Sequence, residues 1–292
     1  MRNHHPKHQQ TTLRKIQIEE LKILEVFHEI CLKNKLKYWL DGGTLLGAVR
    51  HQGFIPWDDD VDIAMPRADY QIFIKAAQKS LPNDLELEIS NESQDDILFW
   101  VPCKIRQKHS KITATDNIND KNRGLFIDII PIDQFHSGKI KYKIDIFLKW
   151  LYRTLSKIKE SDKKNSPKIY KIANRFLTLT SPLAKPDLPI KIYYKFIKNF
   201  VINQNSRKSR SELVGYGFDV YWTRIFRSSD IFPLRTIEFE GMYFSAPQKP
   251  EKLLEIFYGP YFMTPPPIEE QKPRHVISVI FDTRTNDPTH FV

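Results

Sequence analysis

The sequence is missing several things that would place it in other classes. No apolar run in its 292 residues approaches the roughly 20 needed to span a bilayer. Met1 to Arg14 is polar and His-rich, without the apolar segment of a signal peptide. It reads as a tail over residues 1–12, with His4, His5 and His8 as part of that tail and not as metal ligands. Cysteine is scarce: Cys31 and Cys103 stand alone in apolar settings. That excludes a disulfide framework or a zinc ribbon and points to free thiols in a reducing compartment, so a cytoplasmic location is expected. Internal repeats and low-complexity tracts are also absent. What is present is 41% hydrophobic and 12% aromatic residues, enough to bury a full core.

Acidic residues are scarce in one place only. The net charge is +10. Ser137 to Glu212 carries 19 Lys plus Arg against 5 Asp plus Glu, net +14, and the rest carries 26 against 30, net −4. The basic character therefore belongs to an insert. This argues for a local partner face and against a surface that coats nucleic acid, and no nucleic-acid partner is expected.

Hydrophobic periodicity predicts a helix over Leu13 to Asn34 and a short strand at Tyr38 to Leu40. Thr44 is placed to cap a helix over Leu45 to Arg50. A strand follows at Val61 to Met65 and a helix from Pro66 to about Lys79. Strands are expected at Leu85 to Ile89, Leu98 to Arg106, Lys111 to Ala114 and Leu125 to Ile130, the last buried on both faces. Within the insert, Ile140, Ile144, Phe147, Leu148, Leu151, Tyr152, Leu155 and Ile158 form a helical apolar face flanked by lysines, and Ile190 to Ile202 repeats the style. Glu238 to Ser245 reads as a hairpin and Lys252 to Phe257 as a helix. The domains expected are a catalytic core over 13–136, a basic helical insert over 137–212, and a return to the catalytic domain over 213–292.

The stretch from Asp41 to Ile63 carries the chemistry. Asp60 and Asp62 flank one apolar residue, and in a strand they share a face. Two carboxylates on one face repel unless a cation lies between them. A divalent metal answers that need, and a metal held by one or two carboxylates commonly also binds phosphate. Gly42 and Gly43 lead into the helix at Thr44, whose N-terminus offers backbone donors to a phosphate. A third acid is expected from another strand. Asp128, between Ile127 and Ile129 in an apolar run, is the candidate, because a buried charge needs a partner; Asp133 reads as a turn cap.

Gly-Gly, then Asp-x-Asp, then a third acid on a later strand resembles the polymerase-beta-like nucleotidyltransferase superfamily. Asp41 to Arg50, Ile55 to Ile63, Phe126 to Ile129 with Pro131 and Asp133, and the later Phe239-Glu240-Gly241, Pro247, Tyr258-Gly259 and Pro265-Pro266 resemble the LicD/fukutin family within it. Pro260 stands where that family often has an acid. The resemblance implies an α+β fold, with a nucleotidyltransferase mixed sheet, flanking helices and the basic helical insert. It also implies a magnesium-dependent (or manganese-dependent) phosphotransferase. Such an enzyme moves a phospho-head group, phosphocholine from CDP-choline first among the choices, onto a hydroxyl of lipopolysaccharide, teichoic acid or capsule, releasing CMP. Ribitol, glycerol and ethanolamine phosphates are alternatives, as is a nucleotidyltransferase that releases pyrophosphate. A non-enzymatic basic binding protein is the remaining reading.

Under the resemblance Asp60 and Asp62 bind metal, and Asp128 completes the metal site or accepts the proton. Gly42, Gly43, Thr44, Arg50, Asp58, Lys104 (or Arg106) and His275 contact substrate. Trp39 and Trp57 are core residues or parts of a cage for a quaternary ammonium. The expected partners are a CDP-linked donor and a glycan or lipid-linked glycan acceptor. Residues 137–212 are expected to lie against the inner face of the cell membrane or to pack on the catalytic domain.

Overall fold

The computed structural model describes residues 7–89, 101–114, 123–160, 196, 205, 211–220, 222–285 and 287–292, with backbone alone at 7–11, 114 and 151–160. The chain divides into two compact units: 1–89, 103–130 and 229–292 form one, and 90–102 and 131–228 the other. The expected helix at Ile190 to Ile202 lies outside the described residues, apart from residue 196.

In the first unit, helix α1 runs Lys7–Lys33. It starts six residues before the expected Leu13, so residues 7–12 are helical and not tail. The buried side chain of Thr12 already belongs to the packed face, and nothing in Gln9-Gln10-Thr11 breaks a helix. Ile16, Ile23, Leu24, Phe27 and Cys31 are buried at helical spacing. Strand β1 (Trp39–Leu40), helix α2 (Gly42–His51), strand β2 (Asp62–Pro66) and helix α3 (Arg67–Ser80) follow. Next come β3 (Leu85–Ile89), β4 (Cys103–Gln107), β5 (Lys111–Ala114) and β6 (Phe126–Phe135). The sheet runs β1-β2-β6-β4-β3. Lys104 lies opposite Asp128 across β4 and β6, and Leu40 lies opposite Ile63 across β1 and β2. Helices beside a central sheet make this an α+β protein, as expected.

Strand β6 is longer than the six residues expected, and Pro131 lies inside it. The proline, which has no N–H to give, is tolerated because the strand changes partner there. Residues 126–128 pair with β4, and residues 132–135 pair with β7 (Leu213–Tyr216), which in turn pairs with β8 (Ile225–Arg227). Between them lies helix α4 (Lys139–Glu160). In this second unit Phe135 and Phe218 stack at 5.0 Å, and Ile146, Leu148, Leu213 and Ile225 pack against them.

The remaining elements return to the first unit. β9 (Arg235–Phe239) and β10 (Met242–Ala246) form the expected hairpin. Its turn places Glu240 at φ 54 and Gly241 at φ 76, a left-handed pair suited to a tight hairpin. Helix α5 (Pro250–Tyr258) packs on α2. β11 (Val276–Ile280) pairs with β5 and with β12 (His290–Phe291).

Candidate active site

The site is assembled where β1 hands over to α2 and an irregular segment enters β2. The helix begins at Gly42, not Leu45, so Thr44 is an internal residue and not a cap. Asp41 holds the cap position without a capping side-chain hydrogen bond. The Thr44 hydroxyl instead accepts the Asp62 N–H at 2.9 Å, and the Asp41 N–H donates to the Asp62 carbonyl at 3.0 Å. Asp62 is thereby fixed from both sides of its peptide.

The two glycines are explained by closeness. Gly42 has φ +50, and a Cβ there would stand 2.8 Å from Asp62 Oδ2. A Cβ on Gly43 would stand 2.7 Å from Asp58 Oδ2. The first turn of α2 therefore lies directly against two carboxylates; a side chain there would push them aside, and at Gly42 it would also have to adopt a left-handed backbone.

These carboxylates crowd each other. Burial is the main cause that holds Asp62 well above the usual carboxylate range, with Asp60, Asp128, Asp41 and Asp58 adding repulsion. Asp58 is raised in the same way by burial, Asp60 and Asp59. Asp60 is pushed up to about 6, mainly by burial; His275 pulls it down, and Asp59 and Asp128 push it up. Strand β2 opens only at Asp62, so Asp60 sits in the lead-in to the strand and not in the strand itself. Repulsion still couples it to Asp62 and Asp128.

Basic side chains enter from strand β4 and from the segment leading into β11. Lys104 Nζ is 2.7 Å from Asp128 Oδ1, and both residues are buried. The same ammonium lies 3.7 Å above the Phe126 ring. His275 Nε2 is 3.4 Å from Asp60 Oδ2. Arg50 is nearby but engaged: it donates to His51 Nε2 at 2.9 Å and to the Phe262 carbonyl at 3.0 Å. Its guanidinium lies 5.8 Å from the Trp57 ring. The alternative cation, Arg106, is not at the site. It is fully buried and pairs with Glu88 and the Gly124 carbonyl. Asp133 holds the Phe218 N–H at 2.9 Å and Asn205 Nδ2 at 2.9 Å. Trp39 is fully buried, edge-on to Phe232, so a cage built with Trp57 is not formed.

Three residues outside the expected set act on the loop, two by holding it and one by repelling its acids. Asp59, the acid passed over in the run of four, is buried. Its carboxylate accepts the N–H groups of Arg274, His275 and Val276 at 3.3, 2.9 and 2.7 Å, which is how His275 reaches Asp60. Gln17 on α1 donates to the Ile55 and Asp58 carbonyls at 3.2 and 2.9 Å. Glu20, also on α1, is buried, and its Oε2 has no hydrogen-bond partner. Burial first, then Asp60, Asp59, Asp58 and Asp128, raise its carboxyl well above the usual range. An acid adjacent to Glu19 on a charged helix carries no local signal of this. The run of backbone N–H groups that Asp59 needs comes from more than 200 residues away.

As a donor set for a metal, the site offers carboxylate oxygens, the ligands a magnesium ion prefers. Among the described residues no three His, Cys, Asp or Glu side chains stand together as a ready-made metal centre. Asp60 and Asp62 repel each other, and two such carboxylates would leave the remaining positions of a magnesium ion to phosphate and water.

Residues 35–162 match the model of the LicD/FKTN/FKRP nucleotidyltransferase domain. Over 272 residues the chain is 29% identical to the lipopolysaccharide cholinephosphotransferase LicD of Haemophilus influenzae, covering 91% of this chain and 96% of that protein. An uncharacterized Rickettsia typhi protein is 48% identical over 63 residues, 20% of each chain. The human ribitol 5-phosphate transferase FKRP is 60% identical over 30 residues, 10% of this chain and 6% of that one.

Proposed function

We propose that this chain is a LicD-type phosphotransferase that transfers a phospho-head group from a CDP-linked donor to a hydroxyl of a cell-surface glycan. The observation that carries this is that the first turn of α2, at Gly42 and Gly43, lies against the carboxylates of Asp62 and Asp58, with Asp60 and Asp128 near enough to Asp62 to repel it. Mutually repelling carboxylates beside a helix N-terminus suit a metal–diphosphate pair, which supplies positive charge to one and negative charge to the other. The similarity to LicD along nearly the whole chain favours phosphocholine as the group transferred. The short FKRP match keeps ribitol phosphate as the alternative.

In this reading Asp60 and Asp62 would hold magnesium. When bound, the ion neutralises charge on the diphosphate and on the leaving CMP. The acceptor hydroxyl attacks the phosphorus that bears the head group. A new P–O bond forms to the sugar, the bond to the CMP oxygen breaks, and the hydroxyl proton leaves to a base. Asp128 is that base, standing beside Asp60 and Asp62 with Lys104 fixing one carboxylate oxygen. Backbone N–H groups at the start of α2 orient the donor phosphates. His275 sits at the rim, half exposed, and contacts the donor or acceptor there. Thr44 acts through Asp62, whose N–H its hydroxyl accepts.

The test is incubation of the purified protein with magnesium and CDP-choline, CDP-ribitol, CDP-glycerol or CDP-ethanolamine, with and without cell-surface glycan. Glycan-dependent CMP release from one donor, abolished by chelator, is expected. Pyrophosphate release from a nucleoside triphosphate, with no CMP from any donor, would convert the reading to nucleotidyl transfer.

A further inference from the structure

Helix α4 is built inside out. Its inward residues include the charged pair Asp145 and Lys149, 0% and 1% exposed. Asp145 accepts the His136 N–H at 2.7 Å and meets the His136 ring at 3.1 Å. Lys149 Nζ donates to the Tyr216 and Gly217 carbonyls at 2.8 and 2.5 Å. On the other side of the helix, Ile140, Ile144, Phe147 and Trp150 are 78%, 48%, 56% and 48% exposed. They stand at spacings of four, three and three residues, which puts them on one stripe at 3.6 residues per turn. Phe147 and Trp150 stack on each other at 5.7 Å, so the stripe is a continuous surface and not scattered side chains.

An ordinary surface helix turns its apolar face inward. Here the inward face is only half apolar, with Ile146 and Leu148 packed against Phe135 and Phe218, and the most apolar stripe faces out. Lys139, Lys141 and Lys143 are exposed around it. At 3.6 residues per turn Lys139 and Lys141 lie on opposite flanks of the stripe and Lys143 lies along it. The 137–212 segment as a whole carries net +14. An aromatic and aliphatic stripe edged by lysines matches the acyl–headgroup boundary of an anionic bilayer: the rings enter the apolar layer, and the long amines reach back to the lipid phosphates.

We propose that the outer stripe of α4, Ile140, Ile144, Phe147 and Trp150 with its flanking lysines, docks this protein onto an anionic membrane surface. No helix of the described residues is long and apolar enough to cross a membrane, so the contact is a helix lying in the interface. It does not depend on the phosphotransferase reading. Charge decides between this occupant and a second copy of the chain, because two copies would bring the same lysines face to face.

The test is flotation of the full chain with vesicles of equal parts phosphatidylcholine and phosphatidylglycerol, against vesicles of phosphatidylcholine alone. The variant is Phe147→Ser with Trp150→Ser. Both side chains are exposed, so its thermal midpoint should match the wild type. The wild type should float with the anionic vesicles only, and added salt should release part of it. The double variant should bind about tenfold more weakly or less still, and Trp150 fluorescence should shift to the blue on binding by comparison with Trp150→Phe. Wild type that stays unbound at low salt, or a double variant that binds as well as wild type, overturns the proposal. A wild-type dimer in light scattering that the double variant converts to monomer, with neither floating, assigns the stripe to a second copy and also overturns it.

Discussion

Two regions of this molecule bury charge wholly or in part, and they do so in opposite ways. In the second unit, Asp133, Asp145 and Lys149 are each met by a complementary group: N–H donors for the acids and carbonyls for the ammonium. In the first unit, Asp58, Asp60, Asp62 and Glu20 are met largely by one another, and burial and mutual repulsion push their carboxyl groups up. A buried charge with its own partners is architecture. A group of like charges held together by the fold is kept that way at a cost in stability, and the natural reason is a ligand of opposite charge. Asp59 shows that the distinction is not one of neighbourhood. It lies within the acidic run but takes three backbone N–H groups, and so it belongs to the first kind.

The sharpest way to break this contrast is to neutralise one acid of each kind. Asp62→Asn should reduce CMP release by about 10²- to 10³-fold or more, since it removes charge aimed at the developing transition state. Its melting temperature in chelator should stay level or rise, because a repelled charge has gone. Activity within a few-fold of wild type would remove Asp62 from the chemistry. Asp133→Ala should do the reverse. It strands the Phe218 N–H and the Asn205 amide and should cost about 2–3 kcal/mol of stability in a denaturant titration, with turnover of the folded fraction close to wild type.

A smaller effect should appear with pH. Asp60 has a folded-state value of about 6 against an ordinary 3.8, so the folded protein binds the extra proton between those values. Stability therefore falls as pH rises through that window, and the other raised acids act in the same direction. In chelator the melting temperature should drop between about pH 4 and pH 7. Magnesium should oppose the drop at the upper end of the window and lose effect as the pH is lowered, since protons compete for the same oxygens. A melting temperature indifferent to magnesium at neutral pH would count against Asp60 and Asp62 as its ligands.

How much of this could be read from the chain alone follows from where each partner comes from. The Gly42-Gly43 and Asp60-x-Asp62 pattern was legible because it is local: β1, α2 and β2 are consecutive, and the glycines meet the acids within 20 residues of chain. Thr44 was misread for a local reason as well. Gly42 at φ +50 allows the helix to start three residues early, which frees the Thr44 hydroxyl for Asp62. Lys104 and Arg106 have the same parity on β4, so periodicity could not separate them. Glu88, on the neighbouring strand β3, claims Arg106 and leaves Lys104 to Asp128. In α4 the apolar periodicity marked a helix correctly. Which side faces in depended on carbonyls at Tyr216 and Gly217, some 70 residues on, and those carbonyls selected Lys149.

Glu240 sharpens the comparison from the exposed side. Its carboxylate accepts the Phe54 N–H at 3.0 Å and a pair of bonds from Arg14 at 3.0 and 2.5 Å, and its own N–H donates to the Gln52 carbonyl at 2.9 Å. The hairpin tip thus holds the residues that lead from α2 toward the acidic segment, and a side chain at Gly53 would displace the Glu240 carboxylate. The Arg14 hydrogen bond is the main cause that lowers the Glu240 carboxyl below its ordinary 4.5. A carboxyl lowered on folding contributes stability above its unfolded value and loses it as pH falls through the folded value, the opposite sign to Asp60. Glu240→Gln keeps an acceptor for Phe54 and removes the charge facing Arg14, whose guanidinium is about half in water. The loss should therefore be under about 1 kcal/mol at neutral pH, and the gap between variant and wild type should close as the pH is taken below 4.5. A gap that keeps its size into acid would mean that the contact works through shape, and that charge at this edge of the site contributes nothing.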